Sequence, residues 1–384
     1  MNSQERHEAR YQRRVAKRKA RKQMRSDHLN GIEGTLSFDK LFKAGKECCK
    51  GVRWKTSVQN FETHLFSRTA VNAKRIREGT WKPKKYISFT LCERGKTRPI
   101  DAPFIDDRQI YKAFTRNVLL PLYKPDMIWN NGASLKGKGL TFSQKMLIRD
   151  LHSYVRRYGT TGKIILLDLK QFFPSIPHRP LYDRHNRLIL SNELRTIADM
   201  IVATSEKGYG MPLGVEPSQI EMVSVLSALD NYIKCQLSIK HMGHYMDDYY
   251  LIIPPDRDAK AILSAVTEKA ASIGVTISSR KTRLIPVGEQ FRYCKVKYTL
   301  TKTGAVKRNG SRDTMKRYRH KLKLFPKLLS DRKMTYADLW GSVNRVMAYF
   351  KRYDDHNRLL KARRIFYSSF GFSAENYNEF VRRT

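Results

Sequence analysis

The sequence lacks a long apolar segment and a regular cysteine pattern. Its longest apolar runs, such as residues 164–167, are far too short to span a bilayer. The N-terminus has no apolar core that would mark a secretory signal. The five cysteines form no Cys-x-x-Cys pair, and their odd number suits a reducing compartment better than a disulfide framework. We therefore expect a cytoplasmic protein with no membrane partner.

Acidic residues are also scarce. The chain has 75 Lys and Arg against 35 Asp and Glu, which leaves a net charge of +40. With 41% hydrophobic residues over 384 positions, it is long enough for two domains or one large core with appended lobes. Such a charge indicates a polyanionic partner. Nucleic acid is favoured over a membrane surface because the basic residues are spread along the whole length and do not form one amphipathic helix.

The first 34 residues form a basic arm. Residues 6–25 carry ten Lys or Arg among good helix formers. Taken alone, this pattern is typical of a solvated or disordered arm; beside a basic body, we interpret it as a clamp that orders on nucleic acid. An organelle-targeting peptide is less favoured because acidic residues interrupt the run. The predicted nucleic-acid contacts in the arm are Arg13, Arg14, Lys17 and Arg18.

Periodicity predicts a mixed order of helices and strands. Helices are expected at about 35–85, 106–122, 188–203, 216–237 and 258–273, and again after residue 310. Strands are expected at 86–92, 97–102, 163–169, 244–253, 275–277 and 291–300. Residues 130–139 and 208–214 are expected to be loops. Antiparallel pairing mixed with helices predicts the α+β class.

Two adjacent aspartates, Asp247 and Asp248, interrupt a strand-forming segment, HYMDDYYLII. Side chains alternate between faces along a regular strand, so a tight turn is needed to bring both carboxylates to one cation. Without a shared cation they would repel, and Mg²⁺ is usually held by one or two carboxylates plus phosphates. With Asp168 as a third carboxylate, the pattern predicts a two-metal phosphoryl-transfer site. A simple polar turn is the alternative interpretation.

Several segments together resemble the reverse transcriptase family. HYMDDYY resembles the YxDD box, and LLDLKQFFPSIPH (166–178) is similar to the first carboxylate motif. KTRPIDAPFIDDRQIYKAF (96–114), NGASLKGKG (131–139) and GMPLGVEPSQ (210–219) resemble the fingers, the loop after them, and the template-and-nucleotide loop. The segments occur in the expected order over about residues 85–300, and their co-occurrence is more specific than any one of them.

The resemblance implies an α+β right-hand polymerase with an antiparallel palm sheet. The implied segments are a basic arm (1–34), fingers with N-terminal helices (35–160), a palm (161–308) with a fingers insertion around 180–210, and a basic helical thumb (309–384). The implied cofactors are two Mg²⁺ ions, with Mn²⁺ as a possible substitute, and the implied substrates are dNTPs. No segment resembling an RNase H, HNH or integrase domain is visible.

The resemblance also assigns individual residues. Asp168, Asp247 and Asp248 match the catalytic carboxylates, and Leu169 is counted with them in the metal site. The implied nucleotide-binding residues are Lys96, Arg98, Phe173, Gln219 and Lys281. A bulky ring at Phe173 would exclude a ribose 2′-OH, and a planar guanidinium at Arg98 suits a triphosphate. Lys136 and Lys138 are the predicted nucleic-acid contacts of the 131–139 loop.

The sequence departs from the retroviral pattern in the 210–219 loop. Leu213 replaces the usual Gln, and Ser218-Gln219 follow in a G-x-x-x-S-Q arrangement. That arrangement resembles diversity-generating retroelement enzymes and the defence-associated "unknown group" of bacteria; the second is preferred because Val215-Glu216-Pro217 replaces the polar triplet expected in the first. The segment FRYCKVKY (291–298) lacks the Phe-Leu-Gly found near the primer grip of many relatives.

The predicted function is therefore RNA-directed synthesis of DNA from a bound, dedicated non-coding RNA, in antiphage defence. The expected partners are this RNA, the RNA/DNA hybrid product and dNTPs, with a homo-oligomer or an accessory protein also possible. Three alternatives stay open: a diversity-generating retroelement enzyme, an untemplated or protein-primed DNA polymerase, and an RNA-binding scaffold that keeps a polymerase fold without using it.

Overall fold

The computed structural model describes residues 3–29, 31–93, 95–205, 207–301, 303–353 and 355–371. Its contacts divide the chain into two units. Unit 1 comprises Met1–Gly139, Asp168–Ser238 and Lys260–Lys281, and unit 2 comprises Leu140–Leu167, Ile239–Ala259 and Thr282–Thr384. The mixture of helices and antiparallel sheets confirms the predicted α+β class. The bounds of arm, fingers, palm and thumb remain predictions.

The elements follow one another in this order. The first part contains α1 (Ser3–Leu29), α2 (Gly31–Thr35), α3 (Phe38–Cys49), α4 (Thr56–Thr63), α5 (Leu65–Arg77), β1 (Ile87–Glu93), β2 (Lys96–Ala102), α6 (Ile105–Phe114), a π-helical turn (Thr115–Leu119), α7 (Leu120–Tyr123) and α8 (Leu140–Tyr158). The middle contains β3 (Lys163–Asp168), α9 (Phe172–Ser175), α10 (Arg179–Leu188), α11 (Asn192–Ala203), α12 (Glu216–Val225), α13 (Ser227–Asn231), β4 (Met242–Tyr245), β5 (Asp248–Ile253) and α14 (Ala259–Ser272). The last part contains β6 (Arg283–Pro286), β7 (Phe291–Tyr293), β8 (Val296–Leu300), β9 (Val306–Asn309), α15 (Arg312–Ser330), α16 (Tyr336–Arg352) and α17 (His356–Phe370).

Some predicted elements are interrupted. The helix expected at 188–203 begins only at Asn192, because Ser191 caps α11 by accepting a hydrogen bond from the Leu194 amide. The strand expected at 275–277 is reduced to an isolated bridge at Ile277. The strand expected at 291–300 is a hairpin, β7 and β8, with its turn at Cys294 and Lys295. Predicted residues 372–384 of the thumb segment lie outside the described residues.

Unit 1 has a largely helical core. Helix α3 buries residues on one face at helical spacing, including Leu41, Ala44 and Cys48. This face packs with α5 and α6 around a buried polar group: Gln109 donates to the Leu41 carbonyl and to Thr69. The predicted β1–β2 hairpin lies in the same unit, and its last pair before the turn joins Glu93 to Lys96.

Unit 2 contains two antiparallel sheets and a helical bundle. The strand order of the larger sheet is β4-β5-β3-β6, and the last residue of β3, Asp168, is counted with unit 1. The smaller sheet has the order β7-β8-β9. Helices α15, α16 and α17 share a core that includes one apolar face of α16: Leu339, Val343 and Phe350 are buried, and Val346 and Met347 are partly buried. Over the described ranges, no helix is both long and apolar enough to cross a membrane.

A buried charged network lies between α10, α11 and α12 in unit 1. His185 is fully buried, with Nδ1 2.6 Å from the Asp199 carboxylate and Nε2 3.1 Å from the Glu221 carboxylate. Tyr123 also donates to Glu221, and the Arg184 guanidinium lies 5.0 Å from the Tyr123 ring centre. Burial alone would lower the pKa of His185, but Glu221 and Asp199 outweigh it and raise that pKa to about 9.

We predict that this network makes unit 1 less stable as the pH rises into the alkaline range. The folded-state pKa of His185 is raised above its unfolded value, so the stabilisation is fully present below about pH 6.5 and is lost as pH rises through about 9. The free energy of unfolding, measured in urea from pH 6 to pH 10, should fall by on the order of 3 kcal/mol across that window. His185→Gln should abolish most of this slope, whereas His152→Gln, which changes an exposed histidine of α8, should keep it. An unchanged slope in His185→Gln would contradict the assignment.

Candidate active site

The Asp247-Asp248 pair lies at the tip of the β4–β5 hairpin. Tyr245 pairs with Asp248, so Met246 and Asp247 form a two-residue turn. Met246 has a φ of 53°, a left-handed conformation at the position where a type II′ hairpin turn usually carries glycine. Both aspartates are half-buried. The two-face alternation of the strand is thus broken at the predicted place.

The buried His244 side chain supports this turn. Its Nδ1 lies 3.1 Å from the Met246 carbonyl, and its ring stacks on Tyr249 with the ring centres 4.6 Å apart. Because the left-handed Met246 is intrinsically unfavourable, such contacts are needed to maintain it. The sequence offered no signal for this role of His244.

A second strained turn, between β7 and β8, lies near the same carboxylates. Cys294 and Lys295 have φ values of 48° and 67°, the pair of left-handed residues that a type I′ turn requires. Burial first, and then the negative charges of Asp248 and Asp247, raise the pKa of the Cys294 thiol. Cys294 also shares an apolar core of unit 2 with Tyr245, the residue before the Met246-Asp247 turn.

The Cys294 turn is supported by a buried polar chain. Gln144 of α8 donates to the Cys294 carbonyl over 3.3 Å, and the Tyr353 hydroxyl donates to the Gln144 carbonyl oxygen over 3.1 Å. Both side chains are almost fully buried. Sequence reasoning missed Gln144 and Tyr353, because they meet only through contacts between segments far apart in the chain.

Asp168, the third predicted carboxylate, is the last residue of β3. The Lys281 ammonium donates to both of its oxygens, over 2.9 and 2.7 Å. The Asp168 side chain is 15% exposed and that of Lys281 is 52% exposed, so the pair is open to solvent on one side. Lys281 therefore lies against a predicted metal ligand.

Leu169, which was counted in the metal site, is placed by an isolated antiparallel bridge to Ile277. The Ser278 amide donates to the Asp168 carbonyl, and the Lys170 amide donates to the Thr276 carbonyl. These two bonds flank Leu169 and leave its own carbonyl out of the bridge. The Leu169 carbonyl remains a predicted metal ligand.

The donor set fits a hard divalent cation. Carboxylate and carbonyl oxygens are the ligands that Mg²⁺ prefers, and the Lys281 ammonium already supplies a positive charge to both oxygens of Asp168. Among the described residues, no three His, Cys, Asp or Glu side chains are gathered closely enough to form a metal cage. Mg²⁺ does not need such a cage, since it is usually bound by one or two carboxylates together with water and substrate phosphates.

In unit 1, the loop at residues 208–214 is fixed on both sides. The Met211 amide donates to the Phe173 carbonyl, and the Gly210 amide donates to the Ile176 carbonyl. On the other side, the Asp101 amide of β2 donates to the Leu213 carbonyl. The structure therefore brings together three predicted features: the loop, the α9 turn that carries Phe173, and the strand that carries Arg98.

The nucleotide-binding candidates of unit 1 differ in exposure. Phe173 is half-buried, with its ring 5.9 Å from that of Phe172, and Arg98 is exposed on β2 opposite Leu91. Lys96 begins β2, but its side chain lies outside the described part of the structure.

Gln219 is exposed and lines a cavity of about 370 Å³. Arg108, Lys112 and Gly214 line the same cavity, and Lys112 pairs with Glu216 over 2.9 Å. The neighbouring Ser218 is fully buried. Of the Ser-Gln pair, Gln219 is therefore the residue that can reach a nucleotide or a template base.

The predicted nucleic-acid contacts are solvent-accessible. Arg13, Arg14, Lys17 and Arg18 are all exposed on α1. In the 131–139 loop, Lys136 is exposed, and Lys138 donates to the Trp129 carbonyl over 2.6 Å with its ammonium 4.8 Å from the Trp129 ring centre. Burial, and then Lys124, lowers the pKa of Lys138. These six assignments remain predictions.

Comparisons with known proteins identify the family. A family model described as reverse transcriptase (RNA-dependent DNA polymerase) matches residues 82–298. Because this is more than half of the 384 residues, the chain belongs to the reverse transcriptase family, and the predicted family is confirmed. The motifs quoted for the resemblance all overlap the matched range. Among curated proteins, the sequence search finds no match.

Two solved telomerase structures are similar to this chain at low identity. Apo telomerase from Candida tropicalis, truncated from its C-terminal domain, is 10% identical with a TM-score of 0.45; the match covers 64% of this chain and 60% of that one. Telomerase from Candida albicans, in complex with the TWJ fragment of telomeric RNA, is 12% identical with a TM-score of 0.46, and the match covers 82% and 67%. The chain thus spans less than two thirds of the first of these structures.

Because the loop at residues 208–214 is held on both sides, one methyl group added at Gly210 should lower the stability of the protein. Gly210 has a φ of +82°, and an added Cβ would lie 2.9 Å from the Pro174 carbonyl oxygen, a backbone atom that cannot rotate away. Gly210→Ala should lower the free energy of unfolding, measured in urea, by at least about 1 kcal/mol. Gly341→Ala is the matched control, since a Cβ there meets nothing within 4 Å in the middle of α16. It should be neutral or stabilising; equal effects of the two substitutions would contradict the close approach.

Proposed function

We propose that the chain is an RNA-directed DNA polymerase that extends a primer by two-metal nucleotidyl transfer. The observation that carries the proposal is the strand order of the larger sheet. Asp168 is the last residue of β3, Asp248 is the first residue of β5, and these two strands are neighbours. In a member of the reverse transcriptase family, this arrangement supports a common role for Asp168, Asp247 and Asp248.

The three carboxylates would hold the two Mg²⁺ ions, for which Mn²⁺ is a possible substitute. Bound there, the ions would lower the pKa of the primer 3′-OH and stabilise the leaving oxygen. The protein's own residues orient the nucleotide. Arg98 binds the triphosphate through its planar guanidinium, and the Phe173 ring excludes a ribose 2′-OH, which selects dNTPs. Lys281, whose ammonium pairs with Asp168, would bind the leaving pyrophosphate.

The template we propose is a dedicated non-coding RNA bound in the bacterial cytoplasm, and the proposed role is antiphage defence. A charge of +40 exceeds what a groove for one RNA/DNA hybrid needs, which favours stable binding of a structured RNA. The G-x-x-x-S-Q segment that ends at Gln219 supports a defence-associated or diversity-generating enzyme, and Val215-Glu216-Pro217 favours the first of these.

Untemplated or protein-primed synthesis is the second candidate, and it rests on Leu213. The Leu213 carbonyl accepts from the Asp101 amide, and the side chain that replaces glutamine cannot hydrogen-bond to a base. A loop that lacks this polar contact has less means of checking a template pair. An inactive RNA-binding scaffold is the third candidate.

One experiment separates these functions. The full chain is purified with the RNA that accompanies it, supplied with Mg²⁺ and each dNTP separately and together, and the products are sequenced. We expect DNA complementary to the bound RNA, and a loss of about a thousandfold or more in rate for Asp247→Asn, because the metal contributes several kcal/mol to the transition state. Asp256→Asn is the charge-matched control on an exposed loop. Homopolymer that forms without RNA would favour untemplated synthesis, and carboxylate-independent or absent product would favour the scaffold.

The basic arm should contribute mainly phosphate contacts. Because Leu29 at the end of α1 packs in the core of unit 1, substitution is a cleaner test than deletion. Replacing Arg13, Arg14, Lys17 and Arg18 by Gln should weaken binding of the co-purified RNA and reduce the slope of log K against log salt by up to about 3, at roughly 0.7 per lost phosphate contact. An unchanged slope in a filter-binding salt series would show that the arm is not part of the RNA interface.

A further inference from the structure

An open groove of about 600 Å³ lies on the N-terminal helices of unit 1, outside the residues matched by the family model. It is formed by α3, the segment that follows it, and the end of α4 with the start of α5. Its lining residues are Phe42, Lys43, Lys46, Glu47, Lys50, Arg53, Glu62, Thr63, Leu65 and Phe66. Nothing in the polymerase site described above uses these residues.

One side of the groove is a cluster of three aromatic rings. Phe38 and Phe42 stack with ring centres 5.7 Å apart, and Phe66 meets Phe38 edge-on at 4.9 Å. Phe66 is nevertheless 69% exposed. A single exposed ring is ordinary, but a ring held in place by two others with its remaining surface in water offers a preformed stacking platform.

The groove also carries a surplus of positive charge, and the Lys46 ammonium lies 4.6 Å from the centre of the Phe42 ring. Both acidic lining residues are already paired: Glu62 accepts three hydrogen bonds from Arg53, and Glu47 pairs with Arg116. Lys43, Lys46 and Lys50 lie at helical spacing along one side of α3 and its C-terminal cap. Within the described part of the chain, none of these three lysines has an acidic partner.

We propose that this groove binds an unpaired segment of RNA, with a base stacked on Phe66 and the phosphates facing the three lysines. Aromatic platforms beside a cationic track bind single strands because every base has a π-face and every nucleotide carries a phosphate. An acidic peptide would satisfy the lysines but would leave the rings without planar partners. The choice of RNA over DNA rests on the proposed function, in which product DNA is paired with its template, so that the unpaired bases belong to the RNA.

The test compares two double variants of the full chain. Phe66→Ala with Lys46→Gln removes the exposed ring and one cation of the groove. Val71→Ala with Lys74→Gln removes an exposed apolar side chain and one cation from α5 outside it. Binding of fluorescent oligouridine is measured at raised salt, where phosphate contacts elsewhere on the chain are weakened. The groove variant should bind about tenfold more weakly, the loss expected for one stacked base, and the control should bind as wild type does.

Further probes decide the nature of the ligand. A blunt RNA hairpin of the same charge should show no difference between the two variants, and oligothymidine and polyglutamate should compete less well than oligouridine. Equal losses for hairpin and single strand, no loss in the groove variant, or better competition by DNA or polyglutamate would each overturn the proposal. Extension of a short primed template should be unchanged in the groove variant. If wild type makes no DNA at all, the proposed function fails, while the binding comparison still decides whether the groove takes single-stranded RNA.

Discussion

The described sites depend on nearby cations that neutralise the negative charge of a few carboxylates. In a chain with a net charge of +40, many cations are available to neutralise a buried carboxylate. The key acidic residues nevertheless have specific positions and specific partners. Asp168 holds the Lys281 ammonium on both oxygens, and Glu221 lies against the buried imidazole of His185. The first pair is open to solvent and can exchange its cation, whereas the second is sealed within a core. Solvent access therefore separates the carboxylate suited to binding a metal from the one that stabilises the fold.

Strained turns position the chemistry of unit 2. Met246 and Cys294 both adopt left-handed conformations without being glycine, and each is held by a buried side chain that contacts a carbonyl of its turn, His244 in one case and Gln144 in the other. A rigid turn fixes the direction of the side chains beside it, which is what a metal site needs. Gln144 lies outside the motifs quoted for the family resemblance, whereas His244 is the first residue of the HYMDDYY segment whose turn it contacts.

The local features of the site were largely predictable from sequence. The β4–β5 hairpin, the strand ending in Asp168 and the amphipathic face of α16 follow from residue patterns of a few positions, and a family model independently covers residues 82–298. Features that depend on packing between distant segments were not predictable. The break of the predicted strand at Cys294 and Lys295 carries no glycine or asparagine signal, and the links from Tyr353 to Gln144 and from His185 to Glu221 exist only once the chain is folded.

The groove beside Phe66 has a consequence for how such a protein can diversify. Lining side chains such as Lys43, Thr63 and Phe66 are exposed on α3, α4 and α5, whereas the core of these helices is made by residues such as Leu41, Phe61 and Leu65. Mutations of the exposed lining residues can therefore accumulate without disturbing either folding or the proposed chemistry of nucleotide addition. A lineage could in this way exchange one RNA client for another through a small number of surface changes while its copying machinery stayed the same.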